Sequence, residues 1–247
     1  MTGKPKRHNL ADWLALHDLD PSLCRQILSA ATRQVGSQPA DYGKLASEED
    51  ALDPDDAWLT VVDAMCAFFP TRRSIIEDTF DKTSKVRSYN SNKTRRALTI
   101  DNGDGAYPTV IYTYFGRASD LMVVAHEFAH AVQIASSSGR FVTPIIREVC
   151  AFVGEAALLT HSRNIDNDLY LRLCQIWSND DNKYLMADGE ELNAALNNPD
   201  SVYRYCWNYP IARYLAIEIS RKCTQERMWM LFEGDLSVRQ ILPDVES

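Results

Sequence analysis

Apolar residues recur every three or four positions along most of the chain, and this spacing places them on one face of an α-helix. The pattern is clearest after residue 143, where five helices are predicted. Their predicted bounds are 144–161, 166–177, 189–196, 203 or 210 to 223, and 226–232. The chain is therefore expected to be mainly α-helical.

Two Asp-Pro pairs mark the start of predicted helices nearer the N-terminus, because an aspartate can cap a helix whose first residue is proline. The helix that follows Asp20-Pro21 can end at Gly36. The helix that follows Asp53-Pro54 must stop before Pro70, which cannot continue it. A further helix is predicted over 71–80.

The stretch between these helices, SQPADYGKLASEEDALDPDD, is polar, acidic and rich in turn-forming residues. Such a composition is typical of a linker. We therefore predict two parts of the chain. Residues 1–50 form an N-terminal helix and acidic linker, and residues 51–247 form the domain that carries the chemical motifs described below.

Between residues 85 and 115 β-branched and aromatic residues replace the helical pattern. RALTI and YPTVIYTYF flank DNGDG, whose Asn-Gly and Asp-Gly pairs favour a tight turn. The pattern predicts a small antiparallel hairpin, with residues 109–114 as an edge strand. Gly116 then ends the strand pattern, and Ser119 can cap the helix that follows.

Composition narrows the class of protein. The 247 residues carry a formal net charge of −8, which opposes binding to the phosphate backbone of nucleic acids. No apolar run approaches the ~20 residues of a membrane-spanning helix, and the basic N-terminus is not followed by the apolar core of a secretory signal. The 6 cysteines form no Cys-x-x-Cys pair. We expect reduced thiols in a cytosolic protein, although leaderless export would leave no trace in the sequence.

One predicted helix contains VVAHEFAHAVQIAS, in which His126 and His130 are four residues apart. On a helix these side chains project from one face, one turn apart, and are close enough to bind one metal ion. Glu127 lies next to the first histidine, where it can reach a metal-bound water but is badly placed to ligate. Two imidazoles and a carboxylate are a frequent zinc ligand set that leaves a position for water. The motif therefore predicts a catalytic Zn²⁺ site.

The alternative interpretation is a buried helix that happens to carry polar residues. The flanking residues are apolar almost all round the helix, so two histidines and a glutamate would be buried there without a visible partner. Burying polar groups in that way is unfavourable by several kcal/mol. A zinc ion would supply the partner, which favours the metal site.

The next predicted helix, within TPIIREVCAFVGEAALLTHSR, offers a third ligand. Thr143 and Pro144 mark its start, and Glu148 and Glu155 stand seven residues apart on one face among mostly apolar neighbours. One glutamate can ligate while the other accepts a hydrogen bond from a ligand imidazole. The spacing alone leaves open which glutamate does which.

These motifs together resemble the catalytic region of oligoendopeptidase F and, more distantly, thimet oligopeptidase, which are zinc oligopeptidases. The resemblance is carried by YPTVIYTYFGRASDLMVVAHEFAHAVQ and IIREVCAFVGEAALL, and it extends more weakly over residues 55–225. It implies a mainly α-helical, zincin-like metallopeptidase catalytic domain with a small sheet beside the motif helix. Family members are longer at the N-terminus, where extra helices roof the substrate channel, so we expect a more open cleft here.

The same resemblance implies roles for the motif residues. His126, His130 and Glu148 would bind zinc, because they match the ligand positions of the family. Glu127 would be the general base, and Glu155 would orient a ligand imidazole.

In the family a tyrosine-rich segment donates hydrogen bonds to the tetrahedral intermediate. Its counterpart here is YRYCWNYPIARY. Tyr205 and Tyr209 are the first candidates for this role, and Tyr203 and Tyr214 are the second candidates.

Several positions depart from the family pattern. Ala129 stands where the family usually has glycine. No histidine follows His161, whereas family members commonly place one before the tyrosine segment, so a tyrosine or Arg213 would have to substitute for it. Pro210 is expected to interrupt the helix of this segment and to leave Tyr209 at a break.

A peptide lying antiparallel to the predicted edge strand would use its backbone for register and side-chain pockets for selectivity. The candidate substrate-binding residues are Thr109, Ile111, Tyr112, Tyr114 and Arg213. The sequence does not disclose whether the substrate is a short peptide or a particular protein. Two other functions stay open: a zinc-holding binding protein with little turnover, and a helical interaction protein without a metal.

Overall fold

The computed structural model describes residues 8–35, 52–88 and 97–246, and it is mainly α-helical, as predicted. Its α-helices are α1 (Leu10–Leu16), α2 (Pro21–Val35), α3 (Pro54–Phe68), α4 (Arg73–Lys82), α5 (Ala118–Ser137), α6 (Pro144–Ile165), α7 (Asn167–Asp181), α8 (Asp188–Ala195), α9 (Asn208–Lys222), α10 (Gln225–Phe232) and α11 (Val238–Glu246). Short 3₁₀ turns lie at Pro70–Arg72 and Tyr205–Trp207, and a π-helix at Asn182–Ala187 joins α7 to α8. No helix within the described ranges combines the length and apolar character needed to cross a lipid bilayer.

The helix starts predicted at the two Asp-Pro pairs are confirmed. The Asp53 side chain accepts a hydrogen bond from the backbone N–H of Asp55 at 2.9 Å, and Asp20 accepts in the same way from the first turn of α2. These bonds satisfy backbone donors that a helix start leaves without partners. The predicted end of α2 at Gly36 lies outside the described residues.

Other predicted boundaries need correction. Ser119 does not cap α5, because the helix begins at Ala118 and the Asp120 carboxylate accepts from the backbone N–H of Arg117. The helix predicted over 166–177 is longer, since α7 continues to Asp181, a buried carboxylate with a tertiary partner. Two described helices, α1 and α11, have no counterpart among the predicted elements.

The sheet contains three described strands, β1 (Ser84–Arg87), β2 (Ala97–Ile100) and β3 (Thr109–Tyr112), in the order β1-β3-β2. β2 and β3 pair antiparallel, with Ala97 opposite Tyr112, which confirms the predicted hairpin. β1 pairs in parallel with the other side of β3. The prediction that residues 109–114 form an edge strand is therefore wrong, because β3 has a partner on each side. Of the described strands, β2 is the edge strand with the closer contact to α5.

α5 and α6 pack side by side and carry the predicted metal site. They approach closely at Gly154 of α6, where an added Cβ would overlap the methyl group of Ala129 on α5. The glycine on α6 therefore leaves room for the methyl group of Ala129. This close contact helps to set the distance between the histidines of α5 and the glutamates of α6.

α1 and α2 pack into the same hydrophobic core as the rest of the described chain. Leu10, Trp13 and Ile27 are buried in one cluster with residues of α3, α6 and α9. Nε1 of Trp13 also donates a hydrogen bond to Oδ1 of Asn208 at 2.8 Å. The predicted linker lies mostly within residues 36–51, which are outside the described ranges, so the division at residue 50 stays a prediction.

A buried histidine at the end of α1 makes stability depend on pH. His17 is 2% exposed, and neither ring nitrogen has a hydrogen-bond partner within the described ranges. Burial lowers the pKa of His17 from 6.5 to about 4. Between these values the unfolded chain binds a proton that the folded chain does not. Stability therefore falls as the pH drops through this window.

We expect this residue to lower the free energy of unfolding by up to about 3 kcal/mol as the pH falls from 6.5 to about 4. Urea unfolding at several pH values measures the effect. The His17→Gln variant, whose side chain does not titrate, should lose this part of the pH dependence. An identical pH dependence in both proteins would mean that His17 takes up its proton normally in the folded state.

Candidate metal centre

α5 places the two histidines of the motif one helical turn apart. The ring centroids of His126 and His130 lie 4.9 Å from each other, and the rings meet edge to face. Both rings are largely buried because α5 is surrounded by α3, α4, α6 and the sheet. The local geometry of a helix therefore brings the two imidazoles together, as the spacing predicts.

α6 brings Glu148 to both imidazoles. Oε2 of Glu148 lies 3.4 Å from Nε2 of His126, and Oε1 lies 3.7 Å from Nε2 of His130. One ligand atom from each of these three side chains lies within 4.8 Å of the other two. The structure thus brings together the three predicted ligands, and Glu148 rather than Glu155 faces both Nε2 atoms.

The chemistry of this cluster fits a divalent metal ion. Glu148 is 3% exposed, and its Oε2 accepts no hydrogen bond from the described residues. A buried carboxylate oxygen is costly unless a donor or a cation compensates it. Two imidazole nitrogens and one carboxylate oxygen form a ligand set that zinc favours, with a position left for water.

The electrostatics of the cluster also suit a cation. Burial lowers the pKa of His130. Burial would raise the pKa of Glu148, but the two histidines and the Tyr205 hydroxyl outweigh it and lower that pKa to about 2. Burial would likewise lower the pKa of His126, but the carboxylates of Glu148 and Glu155 raise it well above its usual value. An ionised Glu148 and a neutral His130 are the protonation states that metal binding requires, and the proton that the two carboxylates hold on His126 is one that a bound cation would displace.

Glu155 connects His126 to a buried arginine. Its Oε1 lies 2.7 Å from Nδ1 of His126, and its Oε2 accepts a hydrogen bond from Nη1 of Arg213 at 2.8 Å. When Nδ1 donates to a carboxylate, Nε2 of a neutral imidazole carries the lone pair that a metal needs. Glu155 therefore lies where it could orient a ligand imidazole, which is the role that the resemblance implies for it.

Glu127 contacts Thr99, a residue that no sequence motif marks as part of the site. Oγ1 of Thr99 lies 2.7 Å from Oε2 of Glu127 and 3.0 Å from the backbone oxygen of the same residue. Thr99 stands on β2, and only the packing of β2 beside α5 brings the two residues together. Alternation within RALTI favours Leu98 and Ile100 as the inward residues, whereas the structure exposes them and turns Thr99 inward.

An open cleft of about 700 Å³ runs beside the cluster. His126 and Glu127 line it together with Ala97 of β2, Tyr184 of the π-helix and Tyr209 of α9. Its volume is typical of sites that bind small molecules or short segments of chain. The π-helix at its wall is a feature that recurs at functional sites.

The tyrosine-rich segment reaches the site through two of its four tyrosines. The Tyr205 hydroxyl donates a hydrogen bond to Oε1 of Glu148 at 2.6 Å. Tyr209 lines the cleft. Tyr203 accepts a hydrogen bond from Nδ2 of Asn208 at 2.8 Å, and Tyr214 packs against the hydrophobic core.

The predicted break at Pro210 is wrong. α9 begins at Asn208, so Pro210 stands in the first turn, where its lack of an N–H has no cost. Nδ2 of Asn208 also donates to the backbone oxygen of Tyr205 at 2.8 Å. Tyr209 therefore lies at the start of a regular helix that is tied to the preceding turn.

None of the five residues predicted to bind substrate lines the cleft. Tyr112 and Tyr114 are buried in the core. Thr109 and Ile111, on the central strand β3, are half-buried and do not line the cleft. Arg213 is fully buried, and its Nη1 donates a hydrogen bond to Oε2 of Glu155. Their role in substrate binding therefore stays a prediction, although the edge position of β3 and the exposure of Arg213 on which it depends are not present in the structure.

Comparison with known proteins adds a structural likeness. The sequence matches no protein-family model and no curated protein. The fold is similar to that of a solved Bacillus anthracis str. Ames protein assigned as an oligoendopeptidase F, with a TM-score of 0.58, 14% sequence identity, and coverage of 98% of this chain and 53% of that chain. A second structure assigned as oligoendopeptidase F has a TM-score of 0.49 and 13% identity, and the match covers 95% of this chain and 46% of that one.

The chain spans about half the length of these two proteins. At 14% identity the likeness to the Bacillus anthracis protein concerns the fold alone. The chain therefore has a helical fold similar to that of an oligoendopeptidase F structure, and within it His126, His130 and Glu148 converge beside an open cleft.

Proposed function

We propose that this chain is a zinc-dependent peptidase that hydrolyses peptide bonds in peptide or protein substrates. The proposal rests on the convergence of His126, His130 and Glu148, whose ligand atoms lie within 4.8 Å of one another next to Glu127. The similarity of the fold to an oligoendopeptidase F structure supports it.

In this proposal the three clustered side chains hold the metal. Zinc bound there supplies a Lewis acid, which polarises a peptide carbonyl and acidifies water enough for hydrolysis at neutral pH. His126 donates its Nδ1–H to Glu155, and a bound cation would take the place of the second proton at Nε2, which then ligates. Tyr205 holds the Glu148 carboxylate in place through Oε1.

Glu127 acts first as the general base and then as the general acid. The Thr99 hydroxyl donates to Oε2 of Glu127 at 2.7 Å, which orients the carboxylate and leaves Oε1 to take a proton from water. The same carboxyl group then passes the proton to the leaving amine. A positioned acid–base group of this kind contributes about 10²–10⁴-fold to the rate.

Tyr209 is the candidate donor to the negative charge that develops on the substrate carbonyl. It lines the cleft, and burial raises its pKa, so its hydroxyl keeps the proton that it would donate. The Tyr205 hydroxyl is less available because it already donates to Glu148. We therefore narrow the predicted pair of tyrosines to Tyr209.

An extended substrate would lie along β2 rather than β3. Ala97 of β2 lines the cleft, and Thr99 of the same strand contacts Glu127. One edge of β2 has no paired strand among the described residues. A peptide could add to this edge through backbone hydrogen bonds. β2 thus takes the role predicted for residues 109–114.

A cleavage assay on a proteome-derived peptide mixture tests the proposed function. We expect the purified protein to produce cleaved peptides, a zinc chelator to reduce cleavage to the background rate, and added zinc to restore it. Cleavage that is equal with and without the chelator would contradict the proposal. Peptide binding without any chelator-sensitive product would instead support a zinc-holding binding protein.

A further inference from the structure

Arg213 is fully buried, yet each part of its guanidinium has a polar partner. Nε donates to Oδ1 of Asp181 at 2.7 Å, Nη1 donates to Oε2 of Glu155 at 2.8 Å, and Nη2 donates to the backbone oxygen of Trp177 at 2.9 Å. Cζ also lies 3.4 Å from the centroid of the Trp177 ring. These contacts fix both the position of the guanidinium and the orientation of its plane.

Stability alone does not account for this arrangement. Glu155 and Asp181 are 3% and 1% exposed, so the two carboxylates and Arg213 form a buried ionic cluster. Packed apolar residues commonly stabilise a core as well as such a cluster does, because three charges must be removed from water. One member of the cluster has a second contact, since Glu155 also meets Nδ1 of His126 at 2.7 Å.

We propose that Arg213 is a positioning residue for the metal centre, which it serves by holding Glu155 in the orientation that fixes the tautomer of His126. The inference rests on the proposed zinc site. Nη1 of Arg213 donates a hydrogen bond to Oε2 of Glu155. The other carboxylate oxygen, Oε1, therefore faces Nδ1 of His126. A neutral imidazole held in this way keeps its proton on Nδ1 and directs the Nε2 lone pair toward the proposed metal position, which Glu148 also faces.

The contacts that set this orientation run through four helices. Trp177 and Asp181 of α7 hold Arg213 of α9, Arg213 holds Glu155 of α6, and Glu155 holds His126 of α5. Only a planar guanidinium can donate in these three directions at once, whereas a lysine ammonium supplies the charge without the fork. The Arg213→Lys variant therefore keeps the positive charge and loses the hydrogen-bond geometry that orients Glu155.

Zinc affinity, measured by competition with a chromogenic chelator at constant pH, tests this role. Residues that orient metal-binding histidines typically contribute about 10–100-fold to metal affinity, and we expect a loss of that size in Arg213→Lys. Leu215→Ala is the matched control, because Leu215 is buried on the same helix, its truncation leaves a cavity, and its apolar side chain takes no part in the hydrogen bonds that hold Arg213 and Glu155. The control should bind zinc as tightly as the wild type even if its melting temperature falls as far.

A long-range ¹H–¹⁵N NMR spectrum of the zinc-loaded proteins gives a second measurement. The Nδ1–H signal of His126 should be sharp in the wild type and in Leu215→Ala, and broadened or lost in Arg213→Lys. If Arg213→Lys does not fold, Arg213→Met/Asp181→Asn replaces it, because this variant removes the arginine together with one buried carboxylate.

Unchanged zinc affinity in the Arg213 variants would overturn the inference, and so would an equal loss of affinity in Leu215→Ala. A wild-type protein that binds no zinc would overturn the proposed function as well. The same assay therefore tells the two failures apart.

Discussion

Replacing Glu127 with glutamine should leave the metal centre intact and remove most of the hydrolytic activity. Glutamine has nearly the same shape, and its side-chain oxygen can still accept the hydrogen bond that Thr99 donates to Glu127. It cannot take a proton from water at neutral pH. We expect peptide hydrolysis to fall by about 10²–10⁴-fold, which is about 3–5 kcal/mol of activation free energy. Zinc content should stay at the wild-type level.

Glu190→Gln is the matched control for this substitution, because Glu190 is exposed on α8 and lies outside the cleft. It makes the same chemical change without touching the site, so its rate should equal that of the wild type. If Glu127→Gln hydrolyses peptides at the wild-type rate, Glu127 is not the general base. Loss of zinc from Glu127→Gln would show that the glutamate is needed for metal binding instead.

Replacing Glu148 with glutamine should weaken zinc binding, whereas replacing Glu127 should not, because Glu148 is a proposed ligand and Glu127 is the proposed base. The amide is neutral and a poor ligand for zinc, although its oxygen can still accept from the Tyr205 hydroxyl. We expect zinc affinity to fall on the order of 100-fold or more, since a ligand contributes more than the groups that orient it. Hydrolysis should be lost at limiting zinc.

Zinc titration of the two variants distinguishes these roles. Excess zinc should restore part of the activity of Glu148→Gln and none of the activity of Glu127→Gln. Glu190→Gln again serves as the control for the chemical change alone. Wild-type zinc affinity in Glu148→Gln would mean that this carboxylate is not a ligand, despite its position within 4.8 Å of both imidazoles.

The parts of the site that depend on local helix geometry could be predicted from the sequence. Residues four apart on a helix lie one turn apart, and this rule alone places His126 beside His130. The start of α6 could also be predicted, because Thr143 and Pro144 are typical of a helix start. The choice between Glu148 and Glu155 could not be made from spacing, since it depends on how α6 is rotated against α5.

The parts that depend on packing between distant segments could not be predicted. Thr99 and Glu127 are 28 residues apart, and Glu155 and Arg213 are 58 residues apart. Nothing in the local pattern of either partner indicates the other. A buried arginine in particular resembles a solvent-exposed residue until its partners are known.

The arrangement of the sheet shows the same limit. β1 consists of Ser84–Arg87, and its SKVR sequence has little of the β-branched or aromatic character that marks a strand. It forms a strand because β3 offers it backbone partners. That pairing makes β3 a central strand, and it moves the available edge from residues 109–114 to β2.

X-ray absorption at the zinc edge of the zinc-loaded protein tests the central claim most directly. The proposed site predicts one zinc ion per chain with two imidazole nitrogens at about 2.0–2.1 Å and oxygen ligands at about 2.0–2.2 Å. The described thiols are free and would be the competing ligands. Sulfur ligands at about 2.3 Å, or no bound zinc, would contradict the metal centre of His126, His130 and Glu148.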